Sequence, residues 1–303
     1  MTAAARTGGA GLIRNYLPLF KIRICSLITF SAAVGLVSAS STGVSMTNLA
    51  VLVIVTMAAS AGASAFNHCF DTDIDAVMER TRKRPLPSGS VPDSRKALLV
   101  AFGLFAGAVA LACGTLNYMV GLHIFLGGFV YAVVYTVWLK RRSWVNIIIG
   151  GLAGSFAVLA GGASAAPGLC LPPVLLSVIM FFWTPSHFWS FAVFHREEYE
   201  KAGIPMLPNV VGDRKTARYI LLNTILLVVS SFLPVYFGGP GKVYAAAAAA
   251  LGAFFIIRNV QLIFNLSKDN AWKNFTASMI YLGGLFAAVV IDASLAHGNI
   301  LWQ

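Results

Sequence analysis

The stretch Leu49–Phe66 reads LAVLVIVTMAASAGASAF and contains no charged residue. A segment of this length and composition approaches the ~20 apolar residues that a helix needs to cross the hydrocarbon core of a bilayer. Comparable stretches recur along the chain. Together they give nine candidate membrane-spanning helices: Ile24–Ser40, Leu49–Phe66, Ala97–Leu116, Tyr118–Leu139, Trp144–Ala163, Leu171–Phe194, Tyr219–Phe237, Val243–Ile263 and Phe275–Leu295.

The composition excludes a soluble domain. Hydrophobic types make up 58% of the 303 residues and charged types 11%, whereas soluble domains carry about 25% charged residues to cover their surface. We therefore expect an all-α polytopic membrane protein, in which residues 1–303 form a single transmembrane domain. Its nine helices are expected to bundle around a central cavity that opens to the cytoplasmic side.

The net charge of +11 is explained by where the cations lie. All of the 22 Lys and Arg except Lys242 fall in the N-terminal arm or in even-numbered connections between helices, and the arm contributes Arg6, Arg14, Lys21 and Arg23. The positive-inside rule then places the N-terminus in the cytoplasm and the C-terminus outside. The basicity therefore reflects membrane topology, and nucleic acid is not an expected partner. The arm is short for a mitochondrial import signal, which favours the bacterial plasma (inner) membrane.

Two polar connections, residues 67–96 and 195–218, are the longest in the chain and are where we expect the site. The first begins Asn67-His-Cys-Phe-Asp71-Thr-Asp73-Ile-Asp75. If the second helix continues through it, Asn67, Asp71 and Asp75 lie four residues apart and share one helix face. Carboxylates so close together repel, and Mg²⁺ is a cation commonly held by one or two carboxylates together with substrate phosphates. The spacing predicts a magnesium site; the alternative is a polar helix end that meets the cytosol.

A run of cations follows in the segment Glu79-Arg-Thr-Arg-Lys-Arg-Pro-Leu-Pro-Ser-Gly89. Arginine side chains beside a metal-binding carboxylate cluster are suited to grip a diphosphate. Arg80 and Arg84 are the better candidates, because the two are four residues apart. The alternative is a basic anchor that contacts lipid headgroups.

The second connection again joins acidic and basic residues just beyond a helix end, starting with His195-Arg-Glu-Glu-Tyr-Glu-Lys. Both connections place carboxylates ahead of a proline-containing turn, which suggests two facing halves. Two acidic clusters would then flank one cavity and hold magnesium against a shared diphosphate. Glu198 is the predicted ligand here, while Glu197 and Glu200 are expected to lie on solvated helix surface.

These motifs resemble the UbiA superfamily of intramembrane prenyltransferases and, within it, the haem O synthase subfamily. The resemblance covers nearly the whole chain. It rests on Asn67–Asp75 followed by Arg80-Thr81 and Arg84-Pro85, on Tyr135-Thr-Val-Trp-Leu-Lys-Arg-Arg with Asn146 and Gly150-Gly151, and most specifically on Pro185-Ser-His187-Phe-Trp189 with Arg196, Tyr199 and Ala202–Pro208. The chain departs from the subfamily at Glu197-Glu198, where an acidic pair ending in Asp is common.

The resemblance implies transfer of a farnesyl group from farnesyl diphosphate to a vinyl group of protohaem IX (haem B), which gives haem O. It implies Mg²⁺ as cofactor, and haem B, the lipid bilayer and a downstream haem-modifying enzyme or oxidase assembly proteins as partners. The implied catalytic and metal-binding residues are Asn67, Asp71 and Asp75, with Glu198 as a further metal ligand. The implied diphosphate-binding residues are Arg80, Arg84, Lys140, Arg196 and Lys201, and the haem-binding candidates are His187, Trp189 and Tyr199.

Three alternatives are open at this stage. The nearest is prenylation of an aromatic acid such as 4-hydroxybenzoate in quinone synthesis. A secondary transporter would place its ionisable residues near the bilayer midplane, whereas here they cluster at one face. A non-catalytic haem-handling assembly factor would need the histidines and would tolerate loss of the carboxylates.

Overall fold

The computed structural model describes residues 15–41, 43–239 and 241–297, so that Arg6 and Arg14 lie outside the described residues. Within these ranges it contains nine helices long and apolar enough to cross a membrane, which confirms the prediction from hydropathy. We number them α1 (Ile22–Ala39), α2 (Met46–Phe70), α3 (Ser94–Thr115), α4 (Tyr118–Leu139), α5 (Asn146–Ala165), α6 (Leu171–Phe194), α7 (Asp213–Tyr236), α8 (Lys242–Phe264) and α9 (Lys268–His297).

Short helices occupy the two long connections, residues 67–96 and 195–218, and the approach to α1. A 3₁₀ turn at Leu17–Phe20 precedes α1, Thr72–Val77 follows α2, and Arg196–Lys201 and Leu207–Val211 follow α6. Two spanning helices are longer than predicted, because α7 begins at Asp213 and α9 at Lys268, each more than one turn before its apolar stretch. Hydropathy marks only the part of a helix that lipid surrounds, so these polar first turns carried no signal.

The bundle is closed by contacts between its first and last helices. Helix α1 packs against α2, α5 and α9, while α6 packs against α5, α7 and α9. The crossing of α1 and α5 depends on small residues: a Cβ atom added to Gly35 or to Gly161 would overlap the backbone carbonyl of Val158 or of Ala32. Close backbone approach of this kind is how helices associate tightly in lipid.

Asp292, for which the sequence offered no partner, lies at the end of the bundle opposite to the acidic segment. Its carboxylate accepts hydrogen bonds from the backbone N–H groups of Val243 at 3.3 Å and Tyr244 at 2.7 Å. Both N–H groups belong to the first turn of α8, where they have no partner within the helix and where the helix dipole favours a negative charge. Asp292 therefore fixes the start of α8 onto α9.

A cavity of about 100 Å³ lies among α1, α2, α4 and α5, and Phe105 of α3 also lines it. Lys21 and Tyr131 line it near the acidic segment, and His123 lines it further from that segment. Most of the remaining lining is apolar, for example Ile28 and Phe105. The predicted central cavity open to the cytoplasm stays a prediction, since the described residues that line this cavity are Lys21 and residues of α1 to α5.

Candidate functional site

The first acidic segment is a helix with a break. Helix α2 ends at Phe70, Asp71 adopts φ −93° and ψ 13°, and Asp75 lies in the next short helix. The sequence argument assumed that the second helix continues through Asp75, whereas the structure interrupts it at Asp71. Even so, the backbone N–H of Asp75 donates to the carbonyl of Asp71 at 2.8 Å, so that the chain keeps its helical sense across the break.

The three predicted metal-binding side chains of this segment are buried. Asn67, Asp71 and Asp75 are 4%, 1% and 3% exposed. The Asn67 amide donates to Asp71 Oδ2 at 2.6 Å, which confirms that these two side chains share one side of the chain. Ionised carboxylates are buried at high cost unless they are paired or bind a metal. The burial therefore demands counter-ions.

Basic side chains from two separate segments of the chain supply them. Lys140 donates to Asp71 Oδ2, and Arg84 Nη1 donates to both oxygens of Asp75 at 2.9 and 2.8 Å. At the rim, Arg141 holds both oxygens of the exposed Asp73 at 2.7 and 2.8 Å. The Arg141 guanidinium thereby lowers the pKa of the Asp73 carboxyl. Two of the predicted diphosphate-binding residues are thus in direct contact with the acidic segment.

The second half of α4 is a π-helix, Val130–Leu139. Its i→i+5 hydrogen bonding continues to the end, where the N–H of Lys140 donates to the carbonyl of Tyr135 at 2.8 Å. Because such a helix has roughly 4.4 residues per turn, residues 131, 136 and 140 fall on nearly one face. That face meets α2, since Thr136 accepts a hydrogen bond from the Asn67 amide at 3.1 Å.

Lys21 reaches the same cluster from the start of α1. Its amine donates to Asn67 Oδ1 at 2.8 Å and lies 3.5 Å from the Tyr131 hydroxyl. The sequence marks Lys21 only as one of the cations of the arm, and Thr136 only as part of the stretch that carries the resemblance; it does not mark Tyr131. A buried partner for Asn67 could not be assigned before the π-helical turn was known.

One oxygen of the site is left without a hydrogen bond. Asp71 Oδ1 is buried and has no hydrogen-bond partner among the described residues; Arg141 Nη2 lies 3.9 Å from it. An orphaned, anionic, buried oxygen beside an amide oxygen suits a cation that prefers oxygen ligands. The donor set of this segment therefore fits a magnesium ion.

The two long connections meet at Glu198. Its Oε2 accepts from the backbone N–H of Arg80 at 3.2 Å, and its Oε1 contacts His195 Nδ1 at 3.0 Å. Although partial burial acts to raise the pKa of Glu198, these two contacts outweigh it and lower the pKa. The predicted meeting of residues 67–96 and 195–218 is observed at this contact. In the described part of the chain, however, no three acidic, His or Cys side chains are close enough to hold one ion.

The other predicted diphosphate-binding residues lie differently. Arg80 places its guanidinium over the Phe191 ring at 5.2 Å. Arg196 forms an ion pair with Asp213 at 3.1 Å, at the start of α7, and Lys201 is exposed. Neither Arg196 nor Lys201 has a contact with Asn67, Asp71 or Asp75 within the described residues.

The haem-binding candidates do not form one cluster. The His187 ring lies between Trp183 and Phe275, with ring centroids 4.2 and 4.4 Å away, and its Nδ1 contacts Ser278 Oγ at 2.7 Å. Trp189 and Tyr199 belong instead to an apolar cluster beneath the acidic segment. Positions 187 and 189 of a helix are about 200° apart, so they point to different sides of α6.

The Trp189 indole N–H is a further unsatisfied group. It is buried and has no acceptor within the part of the chain that the structure describes. A buried donor without an acceptor is costly. This atom is therefore available to a polar group of a ligand.

Comparison with known proteins agrees with this geometry. The model of the UbiA prenyltransferase family matches residues 27–286. The chain is 47% identical to protoheme IX farnesyltransferase 1 of Paramagnetospirillum magneticum over 280 residues, which cover 92% of this chain and 98% of the relative. It is 41% identical to protoheme IX farnesyltransferase 1 of Cenarchaeum symbiosum over 291 residues, which cover 94% of this chain and 97% of the relative.

Solved structures share the fold. The structure of a digeranylgeranylglyceryl phosphate synthase superposes with a TM-score of 0.78 at 20% identity, over 93% of this chain and 98% of the other. A UbiA homolog from Archaeoglobus fulgidus bound to DMAPP and Mg²⁺ gives 0.69 at 17% identity, over 91% of this chain and 99% of the other. The family model and the curated relatives establish the enzyme class, a prenyltransferase, in place of a transporter or a non-catalytic scaffold. The chain belongs to the UbiA prenyltransferase family.

Proposed function

We propose that the protein transfers the farnesyl group of farnesyl diphosphate to a vinyl group of haem B and so produces haem O. The names of the relatives support this donor and this acceptor. The observation that carries the proposal is the placement of a buried cluster of alternating acidic and basic side chains at one end of a mostly apolar cavity. Such a site suits a molecule with a diphosphate head and a hydrocarbon tail.

The head of the substrate is assigned to the basic side chains. In this structure Arg84 forms an ion pair with Asp75, and Lys140 forms one with Asp71. A diphosphate carries more negative charge than either carboxylate and would compete for both cations. Arg80 lies at the contact between the two long connections and completes the grip. In the structure as described, Arg196 and Lys201 do not contact the acidic segment, so they would bind the diphosphate only after residues 195–218 move toward that segment.

The tail is assigned to the mostly apolar cavity among α1 to α5. Its volume of about 100 Å³ is smaller than the about 150 Å³ of a cavity that holds one benzene ring. A farnesyl chain is longer than this cavity, so the lining side chains must rearrange when the donor binds.

The divalent ion, proposed to be magnesium, is assigned to Asn67, Asp71 and Asp75, and Glu198 is the proposed ligand from the second connection. The orphaned Asp71 Oδ1 atom is the observation that favours it. When bound, the ion would neutralise negative charge on the departing diphosphate. The protein itself contributes Arg84 and Lys140 to the same charge, and the apolar lining keeps water from the allylic carbon.

We assign the acceptor to the side of the acidic segment that faces α6 and the second connection, residues 195–218. Trp189 offers its unpaired indole N–H, and Tyr199 lies beside it in the same apolar cluster. We also propose His187 as a candidate ligand of the haem iron. Aromatic rings cover both faces of its imidazole, which leaves little space for a haem beside it. We further propose the bacterial inner membrane as the location, with the N-terminus cytoplasmic, and a haem-modifying enzyme or oxidase assembly factor as the next partner.

The test is acceptor-dependent turnover. Purified protein in lipid nanodiscs is given farnesyl diphosphate, MgCl₂ and either haem B or 4-hydroxybenzoate, and both diphosphate release and product mass are measured. We expect diphosphate release only with haem B, together with a farnesylated, hydroxylated haem. Turnover with the aromatic acid and none with haem would assign the protein to quinone synthesis instead.

A further inference from the structure

Lys21 has an unusual backbone. It joins the 3₁₀ turn Leu17–Phe20 to α1 with φ 44° and ψ 49°, and no other non-glycine residue in the described ranges has a positive φ. A side chain with a Cβ atom strains this left-handed conformation. Strained residues of this kind occur mainly where function requires them. The strain is therefore a reason to ask what the Lys21 side chain does.

The strained turn directs the Lys21 amine into the site. The amine donates to Asn67 Oδ1 at 2.8 Å and lies 3.5 Å from the Tyr131 hydroxyl. Both of these oxygens are uncharged. Lys21 forms no ion pair with any described residue, whereas Arg84 and Lys140 are each paired with a buried carboxylate. Within the described ranges Lys21 therefore has no carboxylate partner of its own, and a bound anion such as a diphosphate would supply one.

The position of this charge is specific. Lys21 lines the mostly apolar cavity and at the same time contacts Asn67, the first residue of the acidic segment. It therefore stands where the hydrocarbon tail of a donor would join its diphosphate. Tyr131 also lines the cavity at this boundary.

We propose that Lys21 is a catalytic residue that stabilises the oxygen leaving from C1 of the prenyl donor. This inference rests on the proposed function for the nature of the donor. The bond that breaks joins C1 of the allylic chain to an oxygen of the α-phosphate, and its electron pair goes to that oxygen. The products are an allylic cation and diphosphate; Lys21 stays protonated and donates a hydrogen bond to the new oxyanion, so no proton is transferred in this step.

The arrangement gives Lys21 a role that differs from those of Arg84 and Lys140. Arg84 and Lys140 must first leave Asp75 and Asp71 to meet the phosphates, while Lys21 gives up only contacts to neutral oxygens. A preorganised charge that acts where negative charge develops affects the transition state more than the bound substrate. Loss of Lys21 should therefore reduce kcat far more than it raises KM.

The test uses Lys21→Met, Lys21→Arg and the matched control Arg23→Met, which removes an exposed cation from the same turn. Turnover is measured with the acceptor on which the wild type works, and binding of inorganic pyrophosphate with MgCl₂ is measured by calorimetry without any acceptor. For Lys21→Met we expect kcat to fall about 100-fold or more, a change in KM for farnesyl diphosphate of less than about 5-fold, and pyrophosphate affinity about 10-fold weaker. Lys21→Arg should recover part of kcat, and Arg23→Met should behave as wild type.

Each contrary outcome has its own meaning. Retention of kcat within about 3-fold in Lys21→Met, or unchanged pyrophosphate affinity, overturns the role of Lys21. A fall in melting temperature with equal losses for Met and Arg assigns Lys21 a structural role and also overturns it. If the wild type binds pyrophosphate but uses another acceptor, the proposed acceptor fails while the test of Lys21 proceeds unchanged.

Discussion

Arg84 Nη1 lies 2.9 and 2.8 Å from the two carboxylate oxygens of Asp75, a side chain that is only 4% exposed. Lys140 pairs with Asp71 through Oδ2 alone. The resting site thus neutralises its own carboxylates, and a metal ion with a diphosphate must exchange partners with these cations. Binding of the metal and of the diphosphate should therefore be cooperative, since each releases the groups that the other needs.

Removal of one member of the Arg84–Asp75 pair should cost stability. We expect Arg84→Gln to lower the free energy of unfolding by about 2 kcal/mol, somewhat less than for a fully buried pair because Arg84 is 24% exposed. The double variant Arg84→Gln/Asp75→Asn should recover most of the loss, because no unpaired charge remains. Unfolding in mixed micelles measures both; a double variant as unstable as the sum of the singles would contradict the pairing argument.

Asp71→Asn should remove the metal site and leave the fold intact. We expect turnover to fall by at least about 100-fold and Mn²⁺ binding, followed by electron paramagnetic resonance, to weaken with it. Asp73→Asn is the matched control, since Asp73 belongs to the same segment but is exposed and paired at the rim with Arg141. Equal Mn²⁺ affinity in Asp71→Asn and wild type would remove the metal assignment.

Lys21→Gly separates strain from chemistry. Glycine accepts the left-handed conformation freely, so we expect the melting temperature to stay the same or rise, with a gain of up to about 1 kcal/mol. Turnover should fall as in Lys21→Met, because the ammonium group is gone. A lower melting temperature than wild type would show that the Lys21 side chain holds the turn together.

Asp292→Ala tests the cap at the far end of the bundle. Loss of the two hydrogen bonds to the first turn of α8 should destabilise the protein by about 1 kcal/mol, while kcat per folded molecule stays unchanged. Asp292→Asn, which keeps an acceptor oxygen, should lose less. A large fall in kcat for either variant would mean that this end of the bundle affects the chemistry.

The membrane fold was predictable because lipid imposes a length and a polarity that any apolar run reveals. The presence of cations beside Asp71 and Asp75 was also predictable, since carboxylates four residues apart on a helix repel each other unless a positive charge lies between them. The break at Asp71 was not predictable from that spacing. The helix-face argument nevertheless survives, because the Asn67 amide still contacts the Asp71 carboxylate.

What the sequence could not supply was the geometry of its irregular parts. Lys21 depends on a left-handed backbone, and Tyr131 with Thr136 depends on π-helical turns. Neither has a distinctive residue pattern. Arg196 was placed near the diphosphate by its position in a motif, yet it pairs with Asp213, a residue that hydropathy had left outside α7.

The π-helical half of α4 has a consequence for how the protein tolerates changes in length. Its wide turns bring Thr136 to Asn67 and Lys140 to Asp71. Deletion of a single residue between 131 and 139 that restored an ordinary α-helical pitch would rotate Lys140 by roughly 60° relative to Tyr131. This half of α4 should therefore tolerate a change in its length less well than most conservative substitutions.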